Sequence, residues 1–136
     1  MTAILQSSHV RTLQWLVAIG GLVPVLAGVL GIGLGAGFIV PQAALPIPVD
    51  SHWRYLSGLL LGLGIGFWST IPNITQNGAT FRLLTAIVIA GGIGRAWSWV
   101  VVGDPGSAMT FGLIMELFVT PMAAVFQYAV ARQAHQ

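Results

Sequence analysis

Three charged residues stand in or at the edge of long apolar runs: Arg54, Arg95 and Glu116. A carboxylate among arginines can do three different kinds of work. It can clamp helices in register as an ion pair. With two guanidiniums it can line a polar pocket that holds an anion or the polar end of a lipophilic molecule. It can also act as a general acid or base, its proton affinity tuned by burial against Arg95. Left alone at the centre of a bilayer, each such charge costs at least about 2.5 to 3.5 kcal/mol. Pairing, hydrogen bonding or a water-filled cavity is therefore close to obligatory.

The elements that position these residues follow from composition. The chain has 136 residues, 56% of them apolar and 6% charged, whereas roughly a quarter of the residues in a soluble domain carry charge. Four spans of about 20 residues use most of this length and leave short connections. The apolar runs predict helices over about 13–37, 52–71, 81–102 and 108–131, an all-α, antiparallel four-helix transmembrane bundle forming a single domain over 1–136. The run from Trp15 to Val40 carries no ionisable or amide side chain and far exceeds the core of a secretory signal peptide. Its second half, Gly31 to Gly37, has glycine at every other position, which suits close packing or a loosening helix end. Pro41, Pro46 and Pro48 resist helix continuation and predict a linker from Pro41 to Ser51. Trp53 and Tyr55 then open the second span at headgroup level. Pro72 and the polar stretch from Asn73 to Thr80 close it, and Asp104, Pro105 and Gly106 make a short turn between the third and fourth spans.

On this topology Arg95 lies eight residues before Gly103, and Glu116 lies eight residues after Ala108. At about 1.5 Å per residue both sit roughly 12 Å below the same membrane surface, on helices that a short turn makes neighbours. They are predicted to pair. Arg54 begins a row at four-residue spacing, Gly58, Gly62, Gly66 and Thr70, with almost no side-chain bulk, a face that another helix can approach closely. Its guanidinium can point inward to join Glu116 or outward to headgroups. Ala86, Ala90, Gly94 and Ser98 form a similar row in the third span. In the fourth, Gly112, Glu116 and Thr120 share a face, and Pro121 frees the carbonyl of Leu117, so a kink or a bound water is expected there. The candidate site is thus Arg54, Arg95 and Glu116 with Tyr55 and Thr120 beside them, Glu116 being the catalytic candidate, and the candidate packing positions are Gly58, Gly62, Gly66 and Gly94.

Other chemistries find less support. Cysteine is absent, which excludes disulfides and thiolate sites. His9 and His135 belong to one membrane side and His52 to the other, so the three cannot share a metal. Asp50 and His52 at a helix start supply two ligands without a third and read as interfacial, solvated groups. The glycines of the first span precede no Lys-Ser or Lys-Thr, so no phosphate loop is present. Asn73-Ile74-Thr75 spells a glycosylation acceptor too short to carry weight. The high isoelectric point rests on five arginines against three acids and marks no nucleic-acid surface. Lysine is absent as well, a mark of a GC-rich, bacterial genome. Arg11, Arg82 and Arg132 flank one side of the four spans and Arg54 the other, which predicts both termini inside.

The stretch Asp50-Ser51-His52-Trp53-Arg54-Tyr55-Leu56-Ser57-Gly58, with Gly94-Arg95 in the third span and Glu116 in the fourth, resembles a family of small bacterial membrane proteins of unknown function. The likeness spans nearly the whole chain and implies a four-helix inner-membrane protein without an assigned activity. By hairpin order alone the chain is also similar to membrane isomerases of the styrene oxide isomerase type, which use haem to rearrange a lipophilic epoxide. That site needs a histidine early in the second span, where Leu56 stands with His52 one turn earlier, a departure that argues against haem; no other cofactor is implied. The function expected first is a packing or accessory subunit, self-associating or placed beside a larger membrane complex. A binding site or isomerase-like enzyme for a lipophilic molecule comes second, and a small transporter acting as an oligomer third.

Overall fold

A computed structural model of the chain describes residues 2–39 and 45–134. All regular structure among them is helical, and four helices are long and apolar enough to cross a membrane. Pro41 and His135 lie outside the described residues.

The first helix, α1, runs Thr2–Leu34, beginning well before the apolar run that predicts it. No glycine or proline interrupts its first turns, and further along Thr12 Oγ1 donates to the carbonyl of Ser8 at 2.9 Å. Pro24 lies inside α1 without ending it, as prolines within spans can do when neighbouring groups re-satisfy the freed carbonyl. The helix stops at Gly35, whose φ of 68° is left-handed backbone that favours glycine. A 3₁₀ turn, Ala36–Phe38, follows.

The second helix, α2, runs Ile47–Thr70, capped by Pro46, and a 3₁₀ turn Ile71–Asn73 continues it. The expected linker to Ser51 is therefore too long at its C-terminal end. Pro48 falls in the first helical turn, where a missing N–H costs nothing because that N–H has no intrahelical partner. The third helix, α3, runs Gly78–Val102 and ends at Gly103. Gly103 and Gly106 have φ of 114° and 86°, and Asp104 Oδ1 accepts the N–H of Gly106 at 2.8 Å, which makes the tight turn. The fourth, α4, spans Ser107–Ala134 as two α-helical stretches, Ser107–Ile114 and Thr120–Ala134, joined by a π-helical turn at Met115–Val119.

Two compact units are formed. In one, residues 17–71, α1 and α2 approach closely through small residues. A Cβ on Gly28 would come within 2.7 Å of Leu61 Cβ and 2.8 Å of the Ser57 carbonyl, and one on Gly64 within 2.6 Å of Val25. The indole N–H of Trp68 donates to the carbonyl of Ala18 at 3.1 Å. In the other unit, residues up to 16 and from 72 onward, Leu13, Ile74, Phe81, Gln127 and Val130 are almost wholly buried. Phe81 and Thr85 on α3, and Ala123, Gln127 and Val130 on α4, are spaced at three or four residues, one face of each helix. The remaining faces carry large apolar side chains with nothing over them: Trp15, Trp97, Val100, Met122 and Val125 are all about two-thirds exposed or more. Such surfaces suit lipid, not water, and the chain is a multi-pass membrane protein.

Candidate functional site

The turn between α3 and α4 fixes the register that brings Arg95 to Glu116. The guanidinium is seated side-on: Nε donates to Glu116 Oε2 at 2.9 Å and Nη2 to Oε1 at 2.8 Å. Both carboxylate oxygens are thereby engaged in charge-assisted, bidentate geometry. Nη1 lies 2.9 Å from the thioether sulfur of Met109, a weak acceptor. The Arg95 side chain is 32% exposed and that of Glu116 18%.

Glycine makes room for each partner. A Cβ on Gly92 would stand 2.9 Å from Glu116 Cβ and 2.7 Å from the Leu117 side chain, so α3 is bare where α4 brings the acid in. Reciprocally, Gly112 on α4 faces the Arg95 guanidinium, 3.6 Å from where its own Cβ would stand. Glu116 itself sits in the π-helical turn. The Thr120 N–H closes that turn onto the carbonyl of Met115, and its hydroxyl donates to the same oxygen at 2.8 Å. Pro121 follows with no N–H to offer, so the helix widens just where the ladder would lose a bond. This wide turn stands where the kink or bound water is expected.

Arg54 has a different carboxylate. Its Nε donates to Asp50 Oδ2 at 2.8 Å, and Nη1 donates to the carbonyls of Ile32 and, at 3.2 Å, Gly33. Asp50 Oδ1 accepts the N–H of Ala36 at 2.8 Å. Together the pair caps the end of α1: the cation takes the last helical carbonyls, and the anion takes an N–H just beyond. Gly35 is required here twice over, by its φ and because a side chain would meet Asp50 and Arg54. Asp50 is thus not merely a solvated interfacial group.

Tyr55 is largely exposed and stacks on His52 with ring centroids 6.2 Å apart. Among the described residues, no three His, Asp or Glu side chains converge on a point where a metal ion could sit. Of the candidate packing glycines, Gly58, Gly62 and Gly94 have nothing within 4 Å of an added Cβ. The close seam of the 17–71 unit uses Gly28 and Gly64 instead. Chemically, the Arg95–Glu116 pair is a neutralised, doubly bonded couple. Its guanidinium keeps N–H groups beyond the three in use.

The structure brings two of the sequence-predicted site residues, Arg95 and Glu116, into direct contact, and engages Arg54 with Asp50. Sequence reasoning missed Met109, whose only signal is its place two turns before Glu116 on the same helix. A family model, Domain of unknown function (DUF4345), matches residues 12–127. No curated protein and no solved structure matches the chain.

Proposed function

We propose, for a chain that belongs to the DUF4345 family, that it works as a self-associating packing subunit of the bacterial inner membrane, with both termini inside. In this reading the α2 row of Gly58 and Gly62 receives a second copy, and Arg95–Glu116 is the clamp that keeps α3 and α4 in register. The observation that carries it is the contrast among the glycines. Gly28, Gly64 and Gly92 are filled by neighbours, while Gly58 and Gly62, four residues apart on one face, meet nothing within 4 Å. A bare helical face of this kind lets another backbone approach closely in lipid, where dispersion and weak Cα–H contacts drive association. The clamp role rests on both oxygens of the Glu116 carboxylate being engaged by Arg95. Oligomeric state in a bilayer tests the reading: isoleucine at positions 58 and 62 should abolish association and leave the monomer folded.

A second reading keeps the site for a lipophilic molecule. What favours it is the 32% exposure of the Arg95 side chain, which leaves guanidinium N–H groups to receive the polar end of such a ligand.

A further inference from the structure

Among the described residues of the second unit, one buried side-chain atom lacks a hydrogen-bond partner. Gln127 is 1% exposed, and its Nε2 donates to the carbonyl of Ile74 at 2.8 Å. That bond fixes which way the amide points and leaves Oε1 buried without a donor. An acceptor so placed is costly unless something donates to it. Gln127 lines an open groove of about 500 Å³ beside the start of α3, together with Gly78, Arg82, Tyr128 and Arg132. The missing side chain of Gly78 leaves a space faced by both groups. Its ideal Cβ position is 3.1 Å from Arg82 Nη1, 3.4 Å from Gln127 Nε2 and 3.6 Å from Gln127 Oε1.

The rest of the groove is built for an anion. Asn77 gives α3 no side-chain cap, and the first bond of the helix is made by Phe81 N–H to the carbonyl of Asn77. The N–H groups of Gly78, Ala79 and Thr80 therefore end the helix without a capping acceptor, at the positive end of its dipole. Arg82 and Arg132 line the same groove, and the Arg132 guanidinium is steadied 5.8 Å from the centroid of the Tyr128 ring. The chain has only three acids. Asp50 and Glu116 are paired with other arginines, and Asp104 closes the turn before α4. Arg82 and Arg132 thus have no carboxylate among the described residues.

We propose that this groove binds a phosphate ester carrying a hydrogen-bond donor close to the phosphate. The phosphate meets Arg82, Arg132 and the first N–H groups of α3. The neighbouring donor, a hydroxyl, enters beside Gly78 and satisfies Gln127 Oε1. Arg82 and Arg132 stand at the ends of membrane-spanning helices, at headgroup level, so an anionic lipid with a glycerol headgroup supplies this chemistry. A soluble glycerol phosphate carries the same groups.

The test uses the full chain in a neutral detergent, titrated with short-chain phosphatidylglycerol, with phosphatidylmethanol, and with glycerol phosphate, bound molecules being counted by native mass spectrometry. Phosphatidylmethanol has the same charge and no hydroxyl. The proposal expects one saturable phosphatidylglycerol, bound about ten-fold or more tightly than phosphatidylmethanol, the loss that goes with leaving a buried acceptor unpaired. Arg82→Gln with Arg132→Gln, both at exposed positions, should weaken phosphatidylglycerol by about ten-fold or more as charge-assisted bonds are lost. Gly78→Ala should remove the preference over phosphatidylmethanol, because its methyl closes the way to Gln127, and its nearest neighbour is only the end of a flexible arginine. Competition by glycerol phosphate at matching concentrations would support the site and identify its source as soluble; failure to compete would identify it as lipid. Equal binding of the two lipids, or phosphatidylglycerol binding untouched by the arginine substitutions, would overturn the proposal.

Discussion

Replacing Glu116 by methionine leaves a guanidinium at membrane depth without its counter-charge. A fully buried pair broken on one side costs about 3 to 5 kcal/mol, and a lone charge at the bilayer centre at least about 2.5 to 3.5 kcal/mol. Arg95 is 32% exposed and keeps Met109 as a weak partner, so the expected loss is smaller, about 1 to 3 kcal/mol. Arg95→Met should cost less than Glu116→Met, since a stranded carboxylate can shed its charge by taking a proton and a guanidinium cannot. The double substitution removes both charges and should lie within about 1 kcal/mol of the native chain, because hydrophobic replacement of a whole pair is often neutral. A double-mutant cycle measured by reversible unfolding in mixed detergent micelles, followed by tryptophan fluorescence, gives the coupling directly. A coupling below about 0.5 kcal/mol, the size of an exposed surface pair, would refute the clamp.

Gly28→Ala should destabilise the α1–α2 hairpin by about 1 to 3 kcal/mol, as overpacking against backbone does, whereas Gly33→Ala, with open space around it, should be neutral or stabilising by up to about 1 kcal/mol; thermal unfolding in detergent compares the two. Gly35→Ala should cost about 1 to 3 kcal/mol through its left-handed backbone, and Arg54→Gln about 1 kcal/mol through loss of the cap on α1, both read by the same unfolding assay. For topology, the chain has no cysteine, so single cysteines at Ser51 and Ala134 report sides cleanly. The one at position 134 should react with an impermeant maleimide only in inverted vesicles, and the one at 51 only in right-side-out vesicles.

The four helices were legible because uninterrupted apolar runs of span length have few other uses. The Arg95–Glu116 contact was legible because the turn at 103–106 is short enough to make equal counts along the two helices mean equal depth. Boundaries were less so. Polar residues before Leu13 hid the start of α1, and Pro48 read as a breaker although a first-turn proline is tolerated. The cap on α1 could not be read, since Asp50 and Arg54 acquire that role only once the end of one helix lies beside the start of another. Small-residue rows were visible, but spacing does not say whether a neighbour fills them: Gly58 and Gly62 stay open, and the close approaches fall at Gly28 and Gly64, outside those rows. Gln127 gave no signal beyond an amide among apolar neighbours, because its meaning depends on the carbonyl of Ile74 and on the space beside Gly78.

The most direct test of self-association is Förster transfer between donor- and acceptor-labelled copies reconstituted in liposomes, followed as lipid is added to dilute the protein. The native chain should keep specific transfer on dilution. Gly58→Ile with Gly62→Ile should lose it while unfolding as the native chain does, since the added side chains enter space that the monomer leaves open. Transfer that falls to the random level for the native chain, or that survives unchanged in the double variant, would contradict the account.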